Sequence, residues 1–287
     1  MKLFPVNITN FKIDGGAMFG VVPKVLWEKQ YPADENNLCN WALRSLIIES
    51  GDRIILIDNG FGDKQSEKFM SHFYLNENKG LEKALGEHGY KTTDVTDMLL
   101  THLHYDHCGG GVKFNADKTD YELTFPNAQY WVGKKQWETA MNPNKREKDS
   151  FLEENLVPMM DSGRLKFIEK DTELFPGFRV RVYNGHTLGQ LIPFITIKDR
   201  ENKDSTLVFV ADLLPSVAHI PLSWIMSYDV SPMVTLKEKE DFLEEAEANN
   251  YVLLFQHDLY NECCNLTKTP KGIRAKDKFL LREMFSA

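Results

Sequence analysis

Leu99-Leu-Thr-His102-Leu-His104-Tyr-Asp106-His107-Cys-Gly109-Gly-Gly111 sets three imidazoles and a carboxylate within six residues, after an apolar run and before a glycine run. Nitrogen and oxygen donors at this density suit borderline divalent metals. Protonated histidines so close would repel one another, whereas neutral ones can share bound cations. With 8 histidines in 287 residues, such a pattern arises by chance in well under about one chain in a thousand, on an independence estimate. His102 and His104 point the same way if the strand continues, while Asp106 and His107 lie past the bend. Two adjacent metal positions are therefore the natural geometry.

On either side of this segment, several short apolar runs end abruptly in a polar residue. They are Ile54–Ile57 before Asp58, Met98–Leu100 before Thr101-His102, Leu207–Val210 before Ala211-Asp212, and Tyr251–Phe255 before Gln256-His257. Runs of this kind predict strands buried on both faces, as in a sheet sandwiched between layers. Phe178–Tyr183 alternates instead, as a half-exposed strand does, and stops at Asn184-Gly185-His186. A helix is expected after Thr235, with Glu238 closing a capping box and Phe242, Leu243 and Ala246 forming its apolar stripe. The polar stretch 142–154 reads as a surface loop entering a helix, placed to serve as a lid. Strands alternating with helices, with polar residues at strand ends, give an α/β layered protein whose ligand site lies at one edge of its sheets.

The chain is 42% hydrophobic and 26% charged, with a net charge of -8. That supports a substantial core and argues against nucleic-acid binding, which relies on Lys and Arg. Four cysteines, Cys39, Cys108, Cys263 and Cys264, show no disulfide framework, and a reducing compartment is expected. Cys108 reads as a small packing residue. No apolar run reaches the roughly 18 residues of a membrane span, so a cytoplasmic protein without membrane contact is expected. Without a linker or repeat, residues 1–287 are read as one domain.

In order along the chain stand Asp58 in Ile-Asp-Asn-Gly, His102-Leu-His104-Tyr-Asp106-His107, Gly185-His186-Thr-Leu-Gly-Gln190, Asp212 and His257. This series resembles the metallo-β-lactamase superfamily, and the resemblance implies an αββα sandwich with metals at one edge of the paired sheets. It also implies that His102, His104 and His186 hold one ion and Asp106, His107 and His257 the other. Asp212 and a hydroxide would bridge the two, with Asp58 behind the ligands orienting their loop. Two divalent ions, with Zn²⁺ the expected metal, would supply the nucleophile at neutral pH.

His104 and His107 depart from the flavodiiron proteins, which carry Glu at the first position, and from the zinc β-lactamases, which carry Cys at the second. The acidic chain lacks the basic region of the nuclease branch. What remains resembles the quorum-quenching lactonases and the methyl parathion hydrolase-like group, in which residues 1–40 would form an N-terminal extension near the metal cleft. Met18 and Phe19 are expected to offer an apolar wall there. The implied activity is cleavage of a lactone, ester or phosphotriester in a small-molecule substrate, with Asp106 or the bridging hydroxide network passing the proton to the leaving group. Tyr228 is the candidate to assist the substrate carbonyl. His219 is a candidate pocket residue or else a hydrogen-bonded core histidine. Glyoxalase II-like thioesterases and iron-dependent thiol dioxygenases are the alternatives on this fold. Dimers are common among similar hydrolases, which leaves a homodimer open.

Overall fold

A computed structural model describes residues 1–285. Its strands are β1 (Lys2–Asp14), β2 (Leu38–Ser50), β3 (Arg53–Ile57), β4 (Asp97–Leu99), β5 (Val112–Phe114), β6 (Tyr121–Leu123), β7 (Gln129–Gly133) and β8 (Leu165–Ile168), followed by β9 (Thr172–Phe175), β10 (Phe178–Tyr183), β11 (Gln190–Lys198), β12 (Asp204–Phe209), β13 (Val252–Leu254), β14 (Cys263–Thr269) and β15 (Gly272–Phe279). They form a sheet of order β1-β2-β3-β4-β7-β8, a second of order β15-β14-β13-β12-β11-β10-β9, and the small pair β5-β6.

Side-chain alternation builds the layers. Leu46, Ile48, Ile55, Ile57 and Leu99 pack between the sheets, while their neighbours Ile47, Leu56, Met98 and Leu100 face the opposite side, toward residues of the helices Leu81–Gly86 and Glu153–Asp161. The second sheet is covered by the helix Pro232–Ala248, whose Phe242, Leu243 and Ala246 join the central core. The predicted α/β sandwich and its buried strands are present, with strand ends within three residues of those expected.

One sequence expectation is corrected. The long helix begins at Pro232, one turn before Thr235, so Glu238 does not cap it. Glu238 instead accepts backbone N–H bonds from Asn184 (2.7 Å) and Gly185 (2.9 Å), just before His186. On the same helix the buried Lys239 donates to the carbonyls of Pro221 (2.9 Å) and Trp224 (2.8 Å). The helix thus holds two loops of the site.

The fold brings strand ends together. β3, β4 and β7 run parallel, as do β12 and β13. Asp58 and His102 therefore follow strands ending on one edge of the first sheet, and Asp212 and His257 do the same on the second. Ala211 has φ 40°, a left-handed conformation that costs a non-glycine residue about 1–3 kcal/mol, immediately before Asp212. The glycine run also has a packing reason, since a Cβ at Gly109 would lie 2.1 Å from the Phe61 carbonyl oxygen. All four cysteines are buried and free. Among the described residues no helix is long and apolar enough to cross a membrane.

Candidate metal centre

β4 stops at Leu99, so His102 and His104 stand on an extended loop and not on a continuing strand. They converge all the same, with His102 Nε2 3.0 Å from His104 Nδ1. His186, from the loop after β10, brings its Nε2 to 3.2 Å from the same His104 nitrogen. Asp106 and His107 sit on the short helical turn Tyr105–Cys108. There His107 Nε2 lies 3.3 Å from His257 Nε2 and 3.5 Å from Asp106 Oδ2. Asp212 stands between the groups, with Oδ2 3.3 Å from His186 Nε2 and Oδ1 3.1 Å from His257 Nε2.

The far side of each ring decides which nitrogen is free. His107 Nδ1–H donates to Asp58 Oδ2 (2.9 Å), His186 Nδ1–H to Asp229 Oδ1 (2.8 Å), and His257 Nδ1–H to the Ala42 carbonyl (3.0 Å). Thr101 Oγ1–H donates to Asp58 Oδ2 (2.7 Å), so its oxygen accepts from His102 Nδ1–H (3.1 Å). His104 Nε2 faces Glu147 Oε1 at 3.7 Å. Four of these bonds turn one ring nitrogen each of His102, His107, His186 and His257 toward the centre, where His104 Nδ1 also points, and the buried Asp212 Oδ1 has no hydrogen-bond donor. Acceptor atoms about 3 Å apart repel unless a cation lies among them, or protons take its place in the cation-free chain. The donor set therefore fits divalent metal ions. The triads His102–His104–His186 and Asp106–His107–His257 could each hold one, and the group His102–His107–Asp212 links the two by adding Asp212 to one histidine of each.

Electrostatics follows the same layout. Burial, with the neighbouring His107 and His104, holds His102 well below the ordinary histidine range, and burial also lowers His104. Burial would lower His107 too, but Asp106, Asp212 and Asp58 push it up to about 10. At His186, Asp212 and Asp229 outweigh burial and raise it. Burial opposes ionisation of Asp212, yet His107, His257 and His186 hold its carboxyl well below the usual range.

A cavity of about 390 Å³ opens over these donors. His104, Asp106, His186, Asp212 and His257 form its polar floor, and Phe11, Ile13, Met18, Phe61, Phe73 and Met226 its apolar wall. Residues 1–40 include the edge strand β1, which brings Phe11 and Ile13 to that wall, and Met18 lies there as expected. Phe19 does not: it is buried, stacked between Trp27 (5.0 Å) and His219 (4.6 Å). Tyr228 lines the cavity, its phenol pushed up to about 12 by burial and by Asp14 and Asp106.

His219 is absent from the cavity wall. Its Nε2–H donates to the Met18 carbonyl (2.9 Å) and its Nδ1 accepts from Ser216 (2.7 Å). Burial holds its pKa near 3, so the ring is a neutral core histidine, which is the second of the two roles expected for it. The loop 142–154 contributes Arg146, Glu147 and Ser150 to the lining, and Arg146 donates to the Ser227 carbonyl across the cavity. Sequence reasoning missed Asp229, Glu147 and the placement of Glu238. Glu147 stands in the run Lys-Arg-Glu-Lys-Asp and Asp229 beside Tyr228, and no local pattern marks either.

Residues 44–257, most of the chain, match the family model of the metallo-beta-lactamase superfamily. The chain belongs to this superfamily. It is a metallo-beta-lactamase superfamily hydrolase, and its His/Asp clusters suit divalent metal binding. A probable metal-dependent hydrolase from Staphylococcus aureus superposes with a TM-score of 0.86 at 31% identity, covering 97% of this chain and 96% of that one. AidC, a dizinc quorum-quenching lactonase in complex with the product N-hexanoyl-L-homoserine, has the same fold with a TM-score of 0.78 at 20% identity, covering 97% and 95%. An N-acyl homoserine lactonase of Bacillus thuringiensis is 22% identical over 235 residues, 78% of this chain and 84% of that protein. One from Bacillus cereus is 24% identical over 163 residues, 53% of this chain and 58% of its own length.

Proposed function

We propose that this superfamily member is a dinuclear metal-dependent hydrolase of acyl lactones or esters, with phosphotriesters as secondary substrates. The observation that carries the reading is the pair of donor groups on either side of Asp212, each turning imidazole nitrogens or a carboxylate oxygen toward a common centre. Zinc ions held by His102, His104 and His186 and by Asp106, His107 and His257, with Asp212 between them, would supply a hydroxide nucleophile near neutral pH and a Lewis acid for the substrate's acyl oxygen.

The chain's own groups do the rest. Phe11, Ile13, Met18 and Met226 bind an acyl chain above the polar floor. The Tyr228 hydroxyl stays protonated at neutral pH and donates to the acyl oxygen, where charge develops. Asp106, half-buried in the cavity floor, takes the proton of the attacking water and delivers it to the departing alkoxide. The Arg146 bond to the Ser227 carbonyl holds the 142–154 loop over the cavity and limits access of bulk water.

The N-acyl homoserine lactonases among the relatives make an acylated lactone the first substrate to test. The experiment is elemental analysis of protein purified without added metal, followed by initial rates on acyl lactones, aryl esters and a phosphotriester. Two zinc ions per chain with lactone or ester turnover are expected. A single iron per chain, without hydrolysis of any of these substrates, would refute the reading.

A further inference from the structure

We infer that Arg44 is a positioning residue for the ion set that contains His257, acting through the backbone on both sides of that histidine. The inference rests on the dinuclear reading above. Arg44 lies on β2 of the first sheet, and His257 follows β13 of the second, more than 200 positions away in sequence. Only backbone and side-chain contacts across the sandwich can fix their relation.

Arg44 is 5% exposed, and the hydrogen bonds of its guanidinium go to neutral oxygens. Nη1 donates to the Phe255 carbonyl, Nη2 to the Asp258 carbonyl (3.2 Å) and Nε to Asn7 Oδ1 (3.0 Å). A guanidinium taken out of water needs compensation, and burying it against carbonyls is a costly way to hold a core together. Its geometry offers a specific return: the planar fork fixes two carbonyls at once, and here those carbonyls flank Gln256-His257. The same strand completes the clamp. Arg44 N–H donates to the Gln256 carbonyl (3.1 Å), Ala42 N–H to the His257 carbonyl (3.0 Å), and the Ala42 carbonyl accepts His257 Nδ1–H (3.0 Å).

The neighbouring carboxylate is committed elsewhere. Asp258 Oδ2 accepts from Val217 N–H (2.9 Å), and Oδ1 from the N–H groups of Tyr260 and Asn261 (both 2.8 Å). Asp258 thus shapes the turn after His257, while Arg44 sets its distance from the first sheet. That distance decides whether His257 Nε2 reaches Asp212 and His107, which come from different sheets. His102, His104 and His186 receive no contact from Arg44, so its removal should loosen one ion and spare the other.

The test uses the holoenzyme and Arg44→Lys, which keeps the charge and loses the fork. Asn7→Ala serves as a milder variant in which only the exposed Nε partner is removed. Release of each ion into a chromophoric chelator is followed, with His257→Ala as the reference for loss of that set and thermal melts in excess chelator as the measure of the fold. Arg44→Lys is expected to release one ion about 10-fold or more faster, as for partners behind metal ligands, leaving the other at the wild-type rate. Asn7→Ala should shift the same phase in the same direction by less. If both ions leave faster to the same extent, or the melt falls while neither release rate changes, Arg44 has only a general structural role and the inference is wrong. A wild-type chain holding a single ion would overturn the dinuclear reading itself, and this inference with it.

Discussion

Asp58→Asn isolates the part a single negative charge plays in fixing two histidine tautomers. Asp58 is fully buried and has φ 55°, a left-handed conformation that asparagine also tolerates, so shape and backbone are preserved. Its Oδ1 accepts from Thr101 N–H at 2.7 Å, and its Oδ2 accepts from Thr101 Oγ1–H at 2.7 Å and His107 Nδ1–H at 2.9 Å. An amide NH₂ in the Oδ2 position would face two hydrogens. To escape, His107 must move its proton to Nε2, the atom needed by an ion. The Thr101 hydroxyl must turn toward His102 Nδ1, which pushes the His102 proton onto Nε2 as well. Flipping the amide only moves the conflict to Thr101 N–H.

At least one buried bond to a charged acceptor is lost in either case. Such bonds contribute about 1.5–3 kcal/mol, and about 1.4 kcal/mol corresponds to tenfold in affinity. Asp58→Asn should therefore weaken ion binding by about 10- to 100-fold, within the range for groups behind metal ligands, and both ions should be affected because both tautomers change. Chelator competition on the holoenzyme measures it. Affinities within about twofold of wild type would refute the tautomer argument, since the bond energies cited allow no such result.

Tyr228→Phe should lower kcat about tenfold, less than for a fully buried oxyanion donor because the residue is 44% exposed. Steady-state kinetics on the best substrate checks this, and unchanged turnover removes Tyr228 from the mechanism. His219→Ala should cost about 2–4 kcal/mol of stability through the lost stack and two hydrogen bonds while ion content stays the same. Denaturant melts and elemental analysis on one sample decide, and a stable variant without turnover would return His219 to catalysis. His107, raised to about 10, and His186, raised as well, carry protons in the cation-free chain that an incoming ion displaces. A raised folded-state pKa adds stability to the cation-free fold that is complete below the ordinary histidine value near 6.5 and is lost as pH rises through about 10. Ion affinity runs the opposite way, rising by about tenfold per pH unit for each proton displaced. Calorimetry in buffers of different ionisation enthalpy counts those protons, and a count of zero contradicts the assignment.

Much of the site was legible because it is local. His102, His104, Asp106 and His107 lie within six residues, and the strands before Asp58, His102, Asp212 and His257 announce themselves by unbroken apolar runs. Burial on both faces requires such runs, and a metal cluster requires such donor density, so both leave a mark in a short window. Short windows of the chain thus carry the layered α/β class, the donor types and the superfamily. Tertiary structure alone decided what stands behind each donor. Asp229 meets His186 across 43 positions, Glu147 faces His104 from a charged loop, Glu238 turns from its expected cap to the His186 loop, and Arg44 reaches the carbonyls around His257. It also turned His219 into the core and brought Phe11 and Ile13 to the cavity. The physical reason is common to all of them. Asp, Glu and Arg are ordinary surface residues in sequence, and only the approach of the two sheet edges gives each a buried hydrogen-bonding partner to satisfy.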